Sequence, residues 1–179
     1  MIGRKSLAKL IDHTDVRPIA TDADIKRLCD EAVKHGFCAV CVQPYFVRLA
    51  SSLLANESGV KVCTVVGFPF GTNVTDVKVF EVRKAIEDGA EELDVVMNIS
   101  AVKSGNYAYL EEELNKIMSV AEDTVIKLII ETGYLTVEEM KKVCDIAVKA
   151  GVDYIKTCTG FGPRGVSLDD VRLIKEFTG

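Results

Sequence analysis

Gly36-Phe-Cys-Ala-Val-Cys41, Gly89-Ala-Glu-Glu-Leu-Asp94 and Gly151-Val-Asp-Tyr-Ile-Lys156 decide how this chain folds. Each stretch opens on a glycine that follows an amphipathic segment and then runs into short apolar sequence. Glycine suits the left-handed residue that closes a helix. Each stretch therefore reads as a helix end followed almost at once by a strand.

Outward from these three points the same unit repeats. Apolar runs at Leu10–His13, Cys38–Val42, Val60–Val66, Leu93–Met97, Val125–Glu131 and Tyr154–Thr157 are predicted as buried strands. Helical spacing predicts helices over Asp22–His35, Pro44–Leu54, Val74–Asp88, Tyr109–Glu122, Val137–Ala150 and Leu168–Phe177. Thr136 with Glu139, and Ser167 with Asp170, carry the spacing of a capping box. Strands alternating with helices through short connections imply a parallel sheet covered by helices.

The register of the repeats narrows this further. Cys41, Asp94 and Lys156 stand at equal offsets from their glycines, on predicted strands two, four and six. Strand side chains alternate in direction, so equal offsets give equal facing. Alternate strands of a TIM (β/α)8 barrel feed a common interior layer, and its active sites form at the C-terminal ends of the strands. A thiol, a carboxylate and an ammonium are then expected to meet at that mouth, which an open doubly wound sheet gives no reason for. Six units are counted where such a barrel needs eight. The expectation is one barrel domain, residues 1–179, lacking its last two strand–helix units, with truncation favoured because exposed sheet edges are unfavourable.

Bulk properties agree with a globular chain. It is 48% hydrophobic and 27% charged, and its net charge of −5 offers no surface for nucleic acid. No apolar run approaches the roughly 20 residues needed to cross a bilayer, and Met1–Ser6 leads into a short amphipathic stretch rather than a signal peptide. A cytoplasmic protein without membrane association is expected. Of the six cysteines, Cys38 and Cys41 form a C-x-x-C, but Ala39 and Val40 continue an apolar run and no second pair completes a metal site. They read as reduced thiols in a core, and no metal or other cofactor is expected.

Several polar residues fall where barrel chemistry is built. A strand lysine in a barrel interior must be paired or neutral. Lys156 reads either as an ion pair with Asp94 or as a nucleophile that forms a Schiff base. Its place at a strand end, a second lysine at Lys127, and the glycine-rich segment Thr159-Gly-Phe-Gly-Pro-Arg-Gly165 favour the nucleophile. Attack on a carbonyl needs the neutral amine, and a shift from about 10.4 to about 7 corresponds to roughly 4–5 kcal/mol. Lys127 is a candidate for part of the required field, or else a partner of Glu131 or Asp12. Asp94 suits proton transfer through water. His13 is a weaker acid–base candidate, Gly67–Gly71 a pocket-shaping loop, and Asn98 and Thr132 are candidates for substrate hydroxyls.

Leu93-Asp-Val-Val-Met-Asn98, Lys127-Leu-Ile-Ile-Glu-Thr132 and Tyr154-Ile-Lys-Thr-Cys-Thr-Gly160 resemble the deoxyribose-phosphate aldolases. So do Ile11-Asp-His-Thr14, Ala39-Val-Cys-Val42 and Val65-Val-Gly-Phe-Pro-Phe-Gly71, in order along nearly the whole chain. The resemblance implies a metal-free class I aldolase that reversibly cleaves 2-deoxy-D-ribose 5-phosphate to glyceraldehyde 3-phosphate and acetaldehyde. It implies Lys156 as the Schiff-base lysine and Asp94 as the proton relay. Lys127, Cys41, Asp12, Thr159 and Gly160 are assigned to substrate binding, with Gly160 a backbone contact to phosphate, and a homodimer or homotetramer is expected. The family's second catalytic lysine, on a seventh strand, and most of its phosphate site do not occur before Gly179. Phe161 stands where some members carry a basic residue, an absence that Arg164 is placed to offset. Little activity is therefore expected of these 179 residues alone. The competing readings are an isomerase-type phosphosugar barrel with Glu131 as base, and an inactive binding or assembly module.

Overall fold

In a computed structural model that describes residues 3–57 and 59–179, six strands alternate with helices along the chain. The strands are β1 (Asp12–Asp15), β2 (Ala39–Val42), β3 (Lys61–Val66), β4 (Glu92–Val96), β5 (Val125–Ile129) and β6 (Tyr154–Lys156). The helices are α1 (Arg4–Ala8), α2 (Asp22–His35), α3 (Val47–Leu54), α4 (Thr75–Glu87), α5 (Ile99–Lys103), α6 (Tyr107–Met118), α7 (Val137–Ala150) and α8 (Leu168–Thr178). The strands are hydrogen-bonded in chain order, β1 to β6. The pairs β1–β2, β2–β3 and β5–β6 are parallel, as strands joined through helices must be.

The chain divides into two compact units, Met1–Val65 with Lys84–Leu93, and Val66–Arg83 with Asp94–Gly179. In the first, α2 packs on β1, β2 and α3. Its buried stripe Ile25, Leu28, Cys29 and Ala32 recurs at helical spacing. Every residue of β2 is buried, as in a strand covered on both faces. In the second, Met97, Leu110, Leu114, Leu128, Ile130, Met140, Val143 and Cys144 form one apolar core. A buried ion pair lies in the same unit. Lys78 Nζ donates to Glu113 Oε1 at 2.9 Å and to the Val96 carbonyl at 2.8 Å, and both side chains are fully buried. Burial disfavours charge on each partner, pulling Lys78 down and pushing Glu113 up, and their mutual attraction opposes both shifts.

Local signals explain most boundaries. Helix α2 starts at a capping box formed by Thr21 and Asp24 and stops at Gly36, whose φ is 68°. Helix α7 does the same between Thr136 and Gly151, whose φ is 80°. Several predicted boundaries are corrected, among them the end of the fifth strand, at Ile129 rather than Glu131, and the start of the second predicted helix, where Pro44–Phe46 is a 3-10 turn ahead of α3. The first strand lies later than Leu10–His13, because Leu10 and Ile11 close the turn after α1 while β1 takes its register from Ala39–Val42. The predicted helix over Tyr109–Glu122 ends at Met118, and Glu122 has a φ of 52° that no helix accepts. It is preceded by α5, a short helix capped by Asn98 that periodicity does not reveal. The amphipathic start is helical over α1, and Met1 and Ile2 lie outside the described residues.

Candidate active site

Two lysines meet one carboxylate: Asp94 and Lys127 stand midway along β4 and β5, and Lys156 ends β6. Lys127 is level with Tyr154 in the β5–β6 pairing, and Lys156 is level with Ile129. The two lysines are thus two rungs apart on the same face, roughly 6–7 Å along the strands. Their long stems close that gap on Asp94 of β4. Lys127 Nζ lies 3.5 Å from Asp94 Oδ1, and Lys156 Nζ donates a short hydrogen bond to Oδ2. Asp94 is 1% exposed, whereas the Lys156 side chain is 33% exposed and that of Lys127 10%. The sequence reading anticipated Asp94 beside Lys156. Lys127 shares that carboxylate rather than pairing with Glu131 or Asp12.

The backbone after Lys156 is held by β5 and its extension. Ile130 N–H donates to the Lys156 carbonyl at 3.0 Å, and Thr132 N–H to the Thr157 carbonyl at 2.9 Å. Between them Glu131 adopts left-handed angles, φ 48° and ψ 68°, uncommon for a residue with a side chain. Its carboxylate is buried, and Oε2 accepts from Thr159 N–H at 3.0 Å and from the Thr159 hydroxyl. That commitment speaks against Glu131 as an isomerase base, which has to reach substrate. Gly160 has a φ of 85°, and an added Cβ there would meet nothing within 4 Å, so its α-carbon borders open space. Phe161 stacks edge-on against Phe68, ring centroids 5.5 Å apart.

Arg164 does not stand ready for an anion. Its guanidinium donates to both oxygens of Asp170, at 2.6 and 2.9 Å, and to the Thr132 carbonyl at 3.3 Å. This contact, with the Ser167 cap, holds the Asp170 carboxyl well below the usual carboxylate range. Thr132 and Asn98, candidates for substrate hydroxyls, have partners within the protein. The Thr132 hydroxyl donates to Asp170 at 3.2 Å, and Asn98 Oδ1 accepts the Ala101 N–H that opens α5. The Ser167 capping box was legible, but the second partner of Asp170 was not, because the arginine reaches it only once the loop has folded.

The remaining sequence candidates lie in the first unit. Asp12 opens β1, level with Ala39. Cys41 is buried in β2 beside Cys63 of β3. His13 has a partner that sequence did not show: Nε2 lies 2.7 Å from Glu31, which holds that carboxyl below its ordinary range. It lines a cavity of about 340 Å³ with Asp15, Arg17, Asp24, Arg27 and Glu31, where Arg17 is paired with Asp15 and Arg27 with Asp24.

Strands alternating with helices, with an amine–carboxylate–amine cluster on β4, β5 and β6, define an α/β fold that carries a candidate lysine centre. Comparison with known proteins supplies the family. Residues 6–178 match the family described as DeoC/LacD family aldolase. The deoxyribose-phosphate aldolase of Thermococcus gammatolerans is 50% identical over 100% of this chain and 80% of its own length. That of Carboxydothermus hydrogenoformans is 48% identical over 100% and 80%. A solved structure described as a unique tetrameric deoxyribose phosphate aldolase, from Aeropyrum pernix, superposes with a TM-score of 0.90 at 31% identity, covering 98% of this chain and 74% of that one. This chain belongs to the DeoC/LacD aldolase family, and it is an aldolase of the carbon–carbon lyase class.

Proposed function

We propose that the chain carries the Schiff-base centre of a class I aldolase acting on 2-deoxy-D-ribose 5-phosphate. The observation that carries the reading is the shared carboxylate: Asp94 holds Lys156 and Lys127 on separate oxygens, and Lys156 is the more exposed amine. Names of relatives at about half identity over the full chain support the substrate.

In this reading the neutral Lys156 amine adds to the aldehyde carbon of the open-chain sugar, giving a carbinolamine. Asp94, having taken the proton whose loss leaves the Lys156 amine neutral, delivers it to the hydroxyl, water leaves, and the C–N double bond forms as an iminium. Transfer of the proton of the sugar's third-carbon hydroxyl to the Asp94 carboxylate, through water, then breaks the bond between the second and third carbons. The electron pair flows to the iminium nitrogen, leaving an enamine on Lys156 and releasing glyceraldehyde 3-phosphate. Protonation of the enamine carbon and hydrolysis return acetaldehyde and the free amine. Asp94 suits the proton transfers because it is buried and touches the reacting nitrogen. Lys127 keeps the carboxylate oriented from its other side.

Thr159 and the backbone of Gly160 are assigned to the phosphate end of the substrate, supported by the open space beside Gly160. Asp12 and Cys41 are assigned to substrate binding on the family motif. The eight-unit barrel, a homo-oligomer and a cytoplasmic site of action belong to the same reading. The homo-oligomer is supported by the likeness to the tetrameric relative; among the described residues no helix is long and apolar enough to cross a membrane.

Incubation with acetaldehyde and borohydride, followed by peptide mass spectrometry, tests the proposal. A reduced adduct on Lys156, lost in Lys156→Arg, is expected. An adduct confined to Lys127, or none on Lys156, would overturn the assignment.

A further inference from the structure

Glu131 is buried, strained in its backbone, and outside the chemistry just described, yet it lies within the frame that holds Lys156. Its neighbours Ile130 and Thr132 bind the backbone of Lys156 and Thr157, while its own left-handed angles turn the carboxylate toward the loop that follows. One oxygen, Oε2, receives both the N–H and the hydroxyl of Thr159. Having donated its proton, that hydroxyl accepts the N–H of Phe161 at 3.0 Å. A chain of hydrogen bonds thus runs from Phe161 through Thr159 to Glu131 and fixes the residues on both sides of Gly160. The other oxygen, Oε1, has no hydrogen-bond partner among the described residues and lies against Gly162. A Cβ added to Gly162 would come within 2.5 Å of it. That position has no room for a side chain while the carboxylate is seated.

We infer that Glu131 is a positioning residue: seated under Gly162, its carboxylate sets the conformation of Thr159–Phe161 so that the Gly160 backbone is presented to the substrate's phosphate. The inference rests on the reading of Gly160 as the anion contact, and it assigns Glu131 no contact with substrate. It explains why an acidic residue stands beside a loop read as binding an anion. The carboxylate faces the underside of the loop, where loop donors satisfy it, and a charge-assisted pair of hydrogen bonds holds a glycine that would otherwise sample many conformations.

The test titrates inorganic phosphate into the isotopically labelled chain and follows the Gly160 amide signal by NMR. The variants are Glu131→Met, which removes the acceptor at similar length; Gly162→Ala, which displaces the carboxylate without removing it; and Glu131→Gln, which keeps one acceptor oxygen. We expect phosphate to shift Gly160 in the unchanged chain. Glu131→Met and Gly162→Ala should each weaken that binding about tenfold or more, and Glu131→Gln by only about threefold, the scale of losing or keeping charge-assisted hydrogen bonds. Should Glu131→Met fail to fold, Gly162→Ala and Glu131→Gln still give opposite expectations. A Gly160 signal indifferent to phosphate, variants that bind like the unchanged chain, or Glu131→Gln as impaired as Gly162→Ala would each overturn the inference. The acetaldehyde adduct at Lys156 reads the aldolase assignment separately, because phosphate titration involves no covalent chemistry.

Discussion

Asp94 is the residue on which the site turns. It lies between two amines, it is almost fully buried, and each of its oxygens faces a lysine. Replacing it with asparagine keeps the shape and removes the negative charge, leaving two amines facing an amide that cannot move a proton at neutral pH. Asp94→Asn should slow formation of the acetaldehyde adduct on Lys156 roughly a hundredfold, within the range by which a positioned acid–base group accelerates a reaction. Timed borohydride quenching measures this, and an unchanged rate would remove Asp94 from the proton transfers. At this scale the sequence was a good guide to identity but a poor one to partnership. The glycine offsets placed Asp94 and Lys156 in one layer. They did not show that Lys127 shares the carboxylate, since that depends on β5–β6 register and on stems that bridge two rungs. Nor did they show that Glu131 points at Thr159, which follows from a left-handed residue that periodicity does not encode.

Among the elements, α4 and α6 are joined by the Lys78–Glu113 pair, which also reaches the end of β4 through the Val96 carbonyl and, from Glu113, the Asn98 N–H at 3.1 Å. Gly67, at a φ of 64°, completes the fit, because a Cβ there would come within 3.0 Å of the Lys78 stem. Removing one partner of a buried pair leaves an uncompensated charge, so Lys78→Met should cost about 3–5 kcal/mol. Lys78→Met combined with Glu113→Leu should recover most of that loss, since apolar replacement of both ends is often neutral. Urea unfolding midpoints of the two variants decide it; a double variant no more stable than the single one would show that the pair's hydrogen bonds to β4, rather than its charge balance, carry the stability. The helices themselves were legible. Helices α2 and α7 begin and end where capping boxes and left-handed glycines predict, because these signals are local. Helix α5 was not legible, because its cap, Asn98, looks in sequence like a strand-end polar group.

At the scale of the whole molecule, buried thiols set an alkaline limit on stability. Burial pushes both Cys29 and Cys144 up to about 11, against about 8.5 for an unperturbed thiol. Between those values the folded chain retains protons that the unfolded chain has lost, so stability falls as pH rises across that window and is intact below it. Thermal unfolding at pH 8 and near pH 10.5 should show a drop in Tm that is smaller in Cys144→Ala than in the unchanged chain; equal drops would assign the loss to other groups. The sequence by itself determined the succession of six strand–helix units, the helix ends, the glycines, and the lysine and aspartate of one layer. All of these are read from spacing within a few residues, where backbone geometry repeats with fixed period. Tertiary structure alone decided that Asp94 serves two lysines, that Glu131 and Asp170 hold the loop after Lys156 through Thr159 and Arg164, and that Lys78 is paired with Glu113 inside the core. Each of these joins side chains from separate elements, and such pairings are set by strand register, loop closure and burial rather than by any local pattern.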